Sequence, residues 1–108
     1  MEKTIKKSRC PVVATLELIG GKWKVIILYT LSSSKKRFGE LAVRIPKISR
    51  KVLTEQLREL EYDGLILREE YKEIPPRVEY SLTDLGKSLT PVFHELEIWG
   101  TDNVLAKE

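Results

Sequence analysis

Arg50, Lys51, Thr54 and Arg58 stand at spacings that gather them on one side of a helix. With Arg50 at zero and about 100° per residue, Thr54 lies near 40°, Arg58 near 80°, Lys51 near 100° and Glu55 near 140°. Val52 (about 200°), Leu60 (about 280°), Leu53 (about 300°) and Leu57 (about 340°) take the other side. Arginine and lysine suit guanine O6 and N7, and threonine suits a base edge or a thymine methyl. Ser49 is a natural N-cap for this helix. The free N–H groups of a helix start, with the Ser49 hydroxyl, suit a phosphate. An ordinary amphipathic surface helix also has two faces, so the neighbouring elements must decide between the readings.

Other reactive types are sparse. Cys10 is the single cysteine and His94 the single histidine. An intramolecular disulfide, a cysteine-rich zinc site and a metal or triad site built on two histidines are therefore excluded. The carboxylates, such as Glu59 and Glu61 or Glu69 and Glu70, fall on expected surface faces without a nucleophile and base beside them. No enzyme, cofactor or metal site is expected. His94 reads as a solvated or interface side chain. Cys10 follows Lys6, Lys7 and Arg9 and precedes a helix start at Pro11, two features that favour thiolate chemistry. A small, unreactive interface residue is the other reading of it. Trp23 and Trp99 read as core or interface anchors.

The elements around the basic helix follow from periodicity and breakers. Pro11–Ile19 reads as a first helix, ended by the Gly20-Gly21 turn. Lys22–Leu31 reads as a second, apolar almost all round and so central and buried. Arg37–Ile45 carries Phe38, Leu41, Ala42 and Ile45 on one stripe, and Pro46 ends it. Only Pro46-Lys47-Ile48 separate it from the helix that Ser49 caps and Asp63-Gly64 stops. Ile66–Lys72 and Val78–Leu82 read as strands around the stiff tip Glu73-Ile74-Pro75-Pro76-Arg77. Thr83 caps a last helix to about Val104, kinked at Pro91.

Two helices joined by a tight turn and followed by a hairpin make a winged helix-turn-helix. The expected class is α+β, with about five helices and a two-stranded wing, in one domain over residues 1–108. The charge pattern agrees. Residues 1–34 carry net +4, residues 35–58 net +6 and residues 59–108 net −7. The basic block falls on the helix-turn-helix, which points to double-stranded DNA. The expected DNA contacts are Lys47, Ser49, Arg50, Lys51, Thr54 and Arg58, with Lys35, Lys36 and Arg37 on phosphates and Lys72 and Arg77 from the hairpin. A winged-helix module that binds proteins without specific DNA recognition is the alternative. It would expose acidic or apolar residues on this helix, and Arg50, Lys51, Thr54 and Arg58 argue against it. The longest apolar run, Val25–Tyr29, is too short to span a bilayer. No apolar segment follows the N-terminal charges, so no membrane association and a cytoplasmic setting are expected. No effector pocket is legible.

The chain resembles the HxlR class of winged helix-turn-helix regulators, relatives of the MarR-like repressors. The matching stretches are Cys10-Pro11, Ile19-Gly20-Gly21-Lys22-Trp23, Arg37-Phe38-Gly39-Glu40-Leu41, Ile45 through Thr54, Leu57 through Ile66, Val78 through Thr83, and Leu89-Thr90-Pro91 through Trp99-Gly100. The resemblance implies a bacterial transcription regulator that binds operator DNA as a homodimer. It implies an interface built from the first and last helices, here Val12, Leu16, Leu89, Val92, Phe93, Leu96 and Trp99. It also implies, for some members, sensing of oxidants or electrophiles through a cysteine at the position of Cys10.

Overall fold

The computed structural model describes residues 10–108. Lys6, Lys7 and Arg9, invoked beside Cys10, lie outside these residues. In chain order the elements are α1 (Pro11–Ile19), α2 (Lys24–Leu31), β1 (Lys36–Arg37), α3 (Phe38–Arg44), α4 (Arg50–Tyr62), β2 (Ile66–Tyr71), β3 (Arg77–Leu82), α5 (Asp84–Lys87) and α6 (Thr90–Asn103). A 3-10 turn, Leu105–Lys107, follows α6. The three strands form one antiparallel sheet in the order β1-β3-β2.

The core is aliphatic. Ile27, Leu28 and Leu31 of α2 meet Leu41 and Ile45 at the end of α3, and Leu53, Leu57 and Leu60 of α4. Leu65, Ile66, Tyr80 and Leu82 close it from the sheet, and Phe93 from α6. Removing each such side chain from water contributes roughly 1.5–3 kcal/mol. Burial therefore decides which way each helix faces.

Ser49 caps α4 as expected, its hydroxyl oxygen accepting the Val52 N–H at 3.1 Å. The turn before it places Lys47 at φ 70°, a left-handed conformation that side chains other than glycine seldom adopt. At the other end, Thr83 holds several elements together. Its hydroxyl donates to the Gly64 carbonyl at 2.6 Å and accepts the Gly86 N–H at 3.1 Å, and its N–H donates to the Leu65 carbonyl at 3.1 Å. The end of α4, the start of β2 and the start of α5 meet there. Gly86 lies so close that a methyl group would collide with the Leu65 carbonyl oxygen.

The elements depart from the sequence expectations in the wing, the C-terminal helix and the burial of α2. The wing sheet has three strands, because Lys36 and Arg37 pair with Tyr80 and Glu79 and cover the free edge of β3. The single C-terminal helix kinked at Pro91 is two helices. Pro91 lies in the first turn of α6, where its missing N–H leaves no bond unmade. Finally, α2 is not buried all round, for Ile26 and Tyr29 remain exposed.

Candidate nucleic-acid interface

The aliphatic side of α4 fixes what its other side presents. Leu53, Leu57 and Leu60 are sealed in the core, while Arg50, Lys51, Glu55 and Arg58 are exposed and Thr54 is half-buried. The Arg50 guanidinium lies over the Phe38 ring, 5.6 Å from its centre, which restrains it and links α3 to α4. Thr54 donates its hydroxyl proton to the Arg50 carbonyl at 2.8 Å, so its methyl and oxygen lone pairs are what it offers outward. Lys24 of α2 reaches Glu59 at 2.6 Å and braces the helix from behind. The start of α3 is held by Glu40, whose carboxylate accepts the Arg37 N–H at 2.8 Å. Lys47 and Ser49 are exposed in the turn. Lys47, Ser49, Arg50, Lys51 and Arg58 are thus exposed along the turn and α4, and Thr54 is half-buried.

The remaining expected contacts are placed differently. Lys36 is 4% exposed, and its ammonium donates to the Ser33 hydroxyl, the Ser34 carbonyl and the Ser34 hydroxyl at 3.1, 3.0 and 2.7 Å. It is a buried strut for the loop after α2 and is turned away from a phosphate. Arg77 does not project from the wing tip. It bonds Glu73 at 2.7 Å and Glu79 at 2.6 Å and lies 4.1 Å over the Tyr71 ring. Lys35 also turns to Glu79, at 3.5 Å. The charges of Lys35 and Arg77 are thus met within the chain. Arg37 and Lys72 remain exposed. Of the residues expected at a dimer interface, Phe93 belongs to the core and Leu89 packs half-buried against it. Val12, Leu16, Val92, Leu96 and Trp99 are exposed.

A family profile described as HxlR-like helix-turn-helix matches residues 18–108. The chain belongs to the HxlR-like helix-turn-helix family. Among its relatives, the HTH-type transcriptional regulator YdeP of Bacillus subtilis (strain 168) is 57% identical over 91 residues, 84% of this chain and 71% of YdeP. The redox regulator HypR in its oxidized form is 50% identical with a TM-score of 0.83, over 87% of this chain and 97% of HypR. The reduced form of the transcriptional regulator YodB from B. subtilis is 36% identical with a TM-score of 0.76, over 90% of this chain and 96% of YodB. This HxlR-like chain is accordingly a winged helix-turn-helix transcriptional regulator.

One residue of this HxlR-like site is absent from the sequence expectations. Arg68 of β2 lines a cleft with Thr54 and Arg58 of α4. The available signal was its register. Ile66, two residues earlier on the same face of the strand, is buried, so Arg68 sits on the face turned to the helices.

Glu79 gives the wing a pH dependence. Burial works against its ionised form, but Arg77 and Lys35 outweigh that and hold the carboxyl below its ordinary range. A carboxyl lowered on folding stabilises above its unfolded pKa, and the benefit is lost as pH falls through the folded one. The thermal midpoint should therefore drop on acidification below about pH 4, where ordinary carboxylates protonate. Glu79→Gln should flatten that step. Identical midpoint profiles for wild type and variant between pH 7 and 3 would remove Glu79 from this role.

Proposed function

We propose that this chain binds double-stranded operator DNA as a homodimer, with the N-terminal half of α4 in the major groove. The observation that carries the reading is the split of α4, with three leucines in the core and two arginines, a lysine and a threonine facing outward. In the helix-turn-helix geometry that end of the second helix meets base edges. The wing has a lesser electrostatic part. Residues 66–82 carry three basic and four acidic side chains, net −1, against net +6 for residues 35–58. A module that binds proteins alone is disfavoured by the cationic face of α4. The reading assigns the chain no catalytic step and a cytoplasmic setting.

The dimer reading rests on apolar surface that one copy leaves uncovered. Of α1, Ile19 is buried while Val12 and Leu16 are about three-fifths exposed. Leu96 and Trp99 of α6 are exposed to a similar degree. Between α2 and α6 runs a groove of about 540 Å³, lined mainly by apolar side chains that include Val25, Ile26, Leu96 and Val104. Tyr29 and Glu97 cross it with a 3.0 Å hydrogen bond. A second copy related by a two-fold axis covers these surfaces and sets two α4 helices about one DNA turn apart.

Cys10 is exposed at the N-cap of α1, on the side assigned to the dimer. Its place next to α1, together with the likeness to the redox regulator HypR, supports a sensing role. Peroxide would oxidise the thiolate to a sulfenic acid, with water or hydroxide leaving, and a second thiol would convert that to a disulfide with loss of water. With one cysteine per chain the second thiol comes from another copy or a small thiol.

Fluorescence anisotropy against DNA from upstream of the chain's own gene, beside a scrambled duplex at physiological salt, tests the DNA reading. The native duplex should bind about a thousandfold tighter, and an Arg50→Ala, Lys51→Ala double variant should lose that gap. Failure to bind any DNA at low salt would leave the protein-binding module in its place. Light scattering at micromolar concentration should return twice the chain mass, and a monomer mass would end the dimer reading. Peroxide should shift the DNA affinity of wild type and leave Cys10→Ser unmoved; equal responses would make Cys10 a bystander.

A further inference from the structure

The cleft between α4 and the sheet has a volume of about 350 Å³ and is lined by Thr54, Leu57, Arg58 and Glu61 from α4, and Arg68 and Tyr80 from β2 and β3. Arg68 and Tyr80 are cross-strand partners, and Tyr80 is nearly buried. Tyr80 favours the charged form of the Arg68 guanidinium across this strand pair. The Arg68 side chain is still about two-fifths exposed, and its ion pair with Glu70 is loose at 3.7 Å and open to solvent. Guanidinium carries five N–H donors, so several remain to point into the cleft.

The position of this cleft matters more than its size. Thr54 and Arg58 border it, and they belong to the outward face of α4. A helix in the major groove and a hairpin over the adjacent minor groove have one sugar–phosphate strand between them. That strand must pass the gap between α4 and the base of β2 and β3, whose lining includes both Arg58 and Arg68. Two guanidiniums against the single carboxylate of Glu61 leave the lining positive. A forked guanidinium is well suited to grip a phosphate bidentately.

We propose that Arg68, together with Arg58, binds one phosphate of the DNA strand running between recognition helix and wing, and so sets how deeply α4 enters the major groove. The proposal rests on the DNA-binding reading above. It gives Arg68 a sequence-independent contact. Bases are read by the outer residues of α4, and Arg68 fixes their depth and register.

The test is an anisotropy titration over about 50 to 300 mM salt with native and scrambled duplexes, using wild type, Arg68→Gln, Arg68→Lys and Tyr80→Phe. Arg68→Gln should weaken both duplexes by the same factor, about tenfold, and lower the log–log salt slope by about 0.9, the value for one phosphate. Arg68→Lys should keep the slope and lose a few-fold in affinity, because the charge remains but the fork does not. Tyr80→Phe keeps both charges and should also retain the slope with a few-fold loss on both duplexes. It carries the test if Arg68→Gln does not fold. An unchanged slope in Arg68→Gln, even with a lowered thermal midpoint, would make Arg68 a prop for the sheet and overturn the proposal. A loss confined to the native duplex would overturn it too, as a base contact. Wild-type affinity in Tyr80→Phe would equally count against it. If wild type binds neither duplex at low salt, the DNA-binding reading falls and takes this proposal with it. If wild type binds and only the Arg68 effects fail, the reading stands alone.

Discussion

The rotation of α4 about its own axis is the constraint on which the rest of the molecule depends. Leu53, Leu57 and Leu60 are each at most 2% exposed. Turning the helix by one residue, about 100°, would bring leucines into water and press charged side chains onto Ile27, Leu28, Leu41 and Ile45. At roughly 1.5–3 kcal/mol per buried leucine, that outweighs what the polar face could gain from any one neighbour. The outward display of Arg50, Lys51 and Arg58 is therefore a consequence of aliphatic packing on the far side of the same helix. The bonds around Thr83 then tie the wing and the C-terminal helices to the end of that helix.

Charge is partitioned as strictly as apolar surface. The positive excess is concentrated on the helix-turn-helix, while the wing meets Arg77 with one carboxylate from its tip and one from β3. Glu79 takes both Arg77 and Lys35, and its side chain is 13% exposed. A hairpin wired in this way is stiff but nearly neutral. Long-range attraction to a polyanion then comes from the turn and α4, and the wing contributes shape more than field.

Much of this was legible in the residues. The two faces of α4, its serine cap, the glycine stop and the hairpin follow from period, capping chemistry and breakers, because each is a local rule. What was not legible depends on partners distant in sequence. A two-residue strand has too few positions to show alternation, so Lys36 and Arg37 carry no sign that they pair with β3. The burial of Lys36 depends on three oxygens that the loop brings around its ammonium. The capture of Arg77 depends on the register that sets Glu79 beside it. Pro91 was read as a kink because a proline within an apolar stripe fits both a bent helix and a fresh start. The role of α2 was half visible, for its composition showed that it is apolar but not that Ile26 and Tyr29 stay outside.

Of the nine residues of α1, Ile19 alone is buried, with Leu18 half-buried against the same core. A helix of that length is below what water supports by itself, roughly 12–15 residues even for favourable sequences. In the proposed dimer, contacts with the second copy add to its order. Folding of α1 and assembly are then coupled, and the balance shifts with the number of molecules in the cell. A scarce regulator of this build would have a looser N-terminal arm than an abundant one, so that its copy number acts as an input alongside any signal it senses.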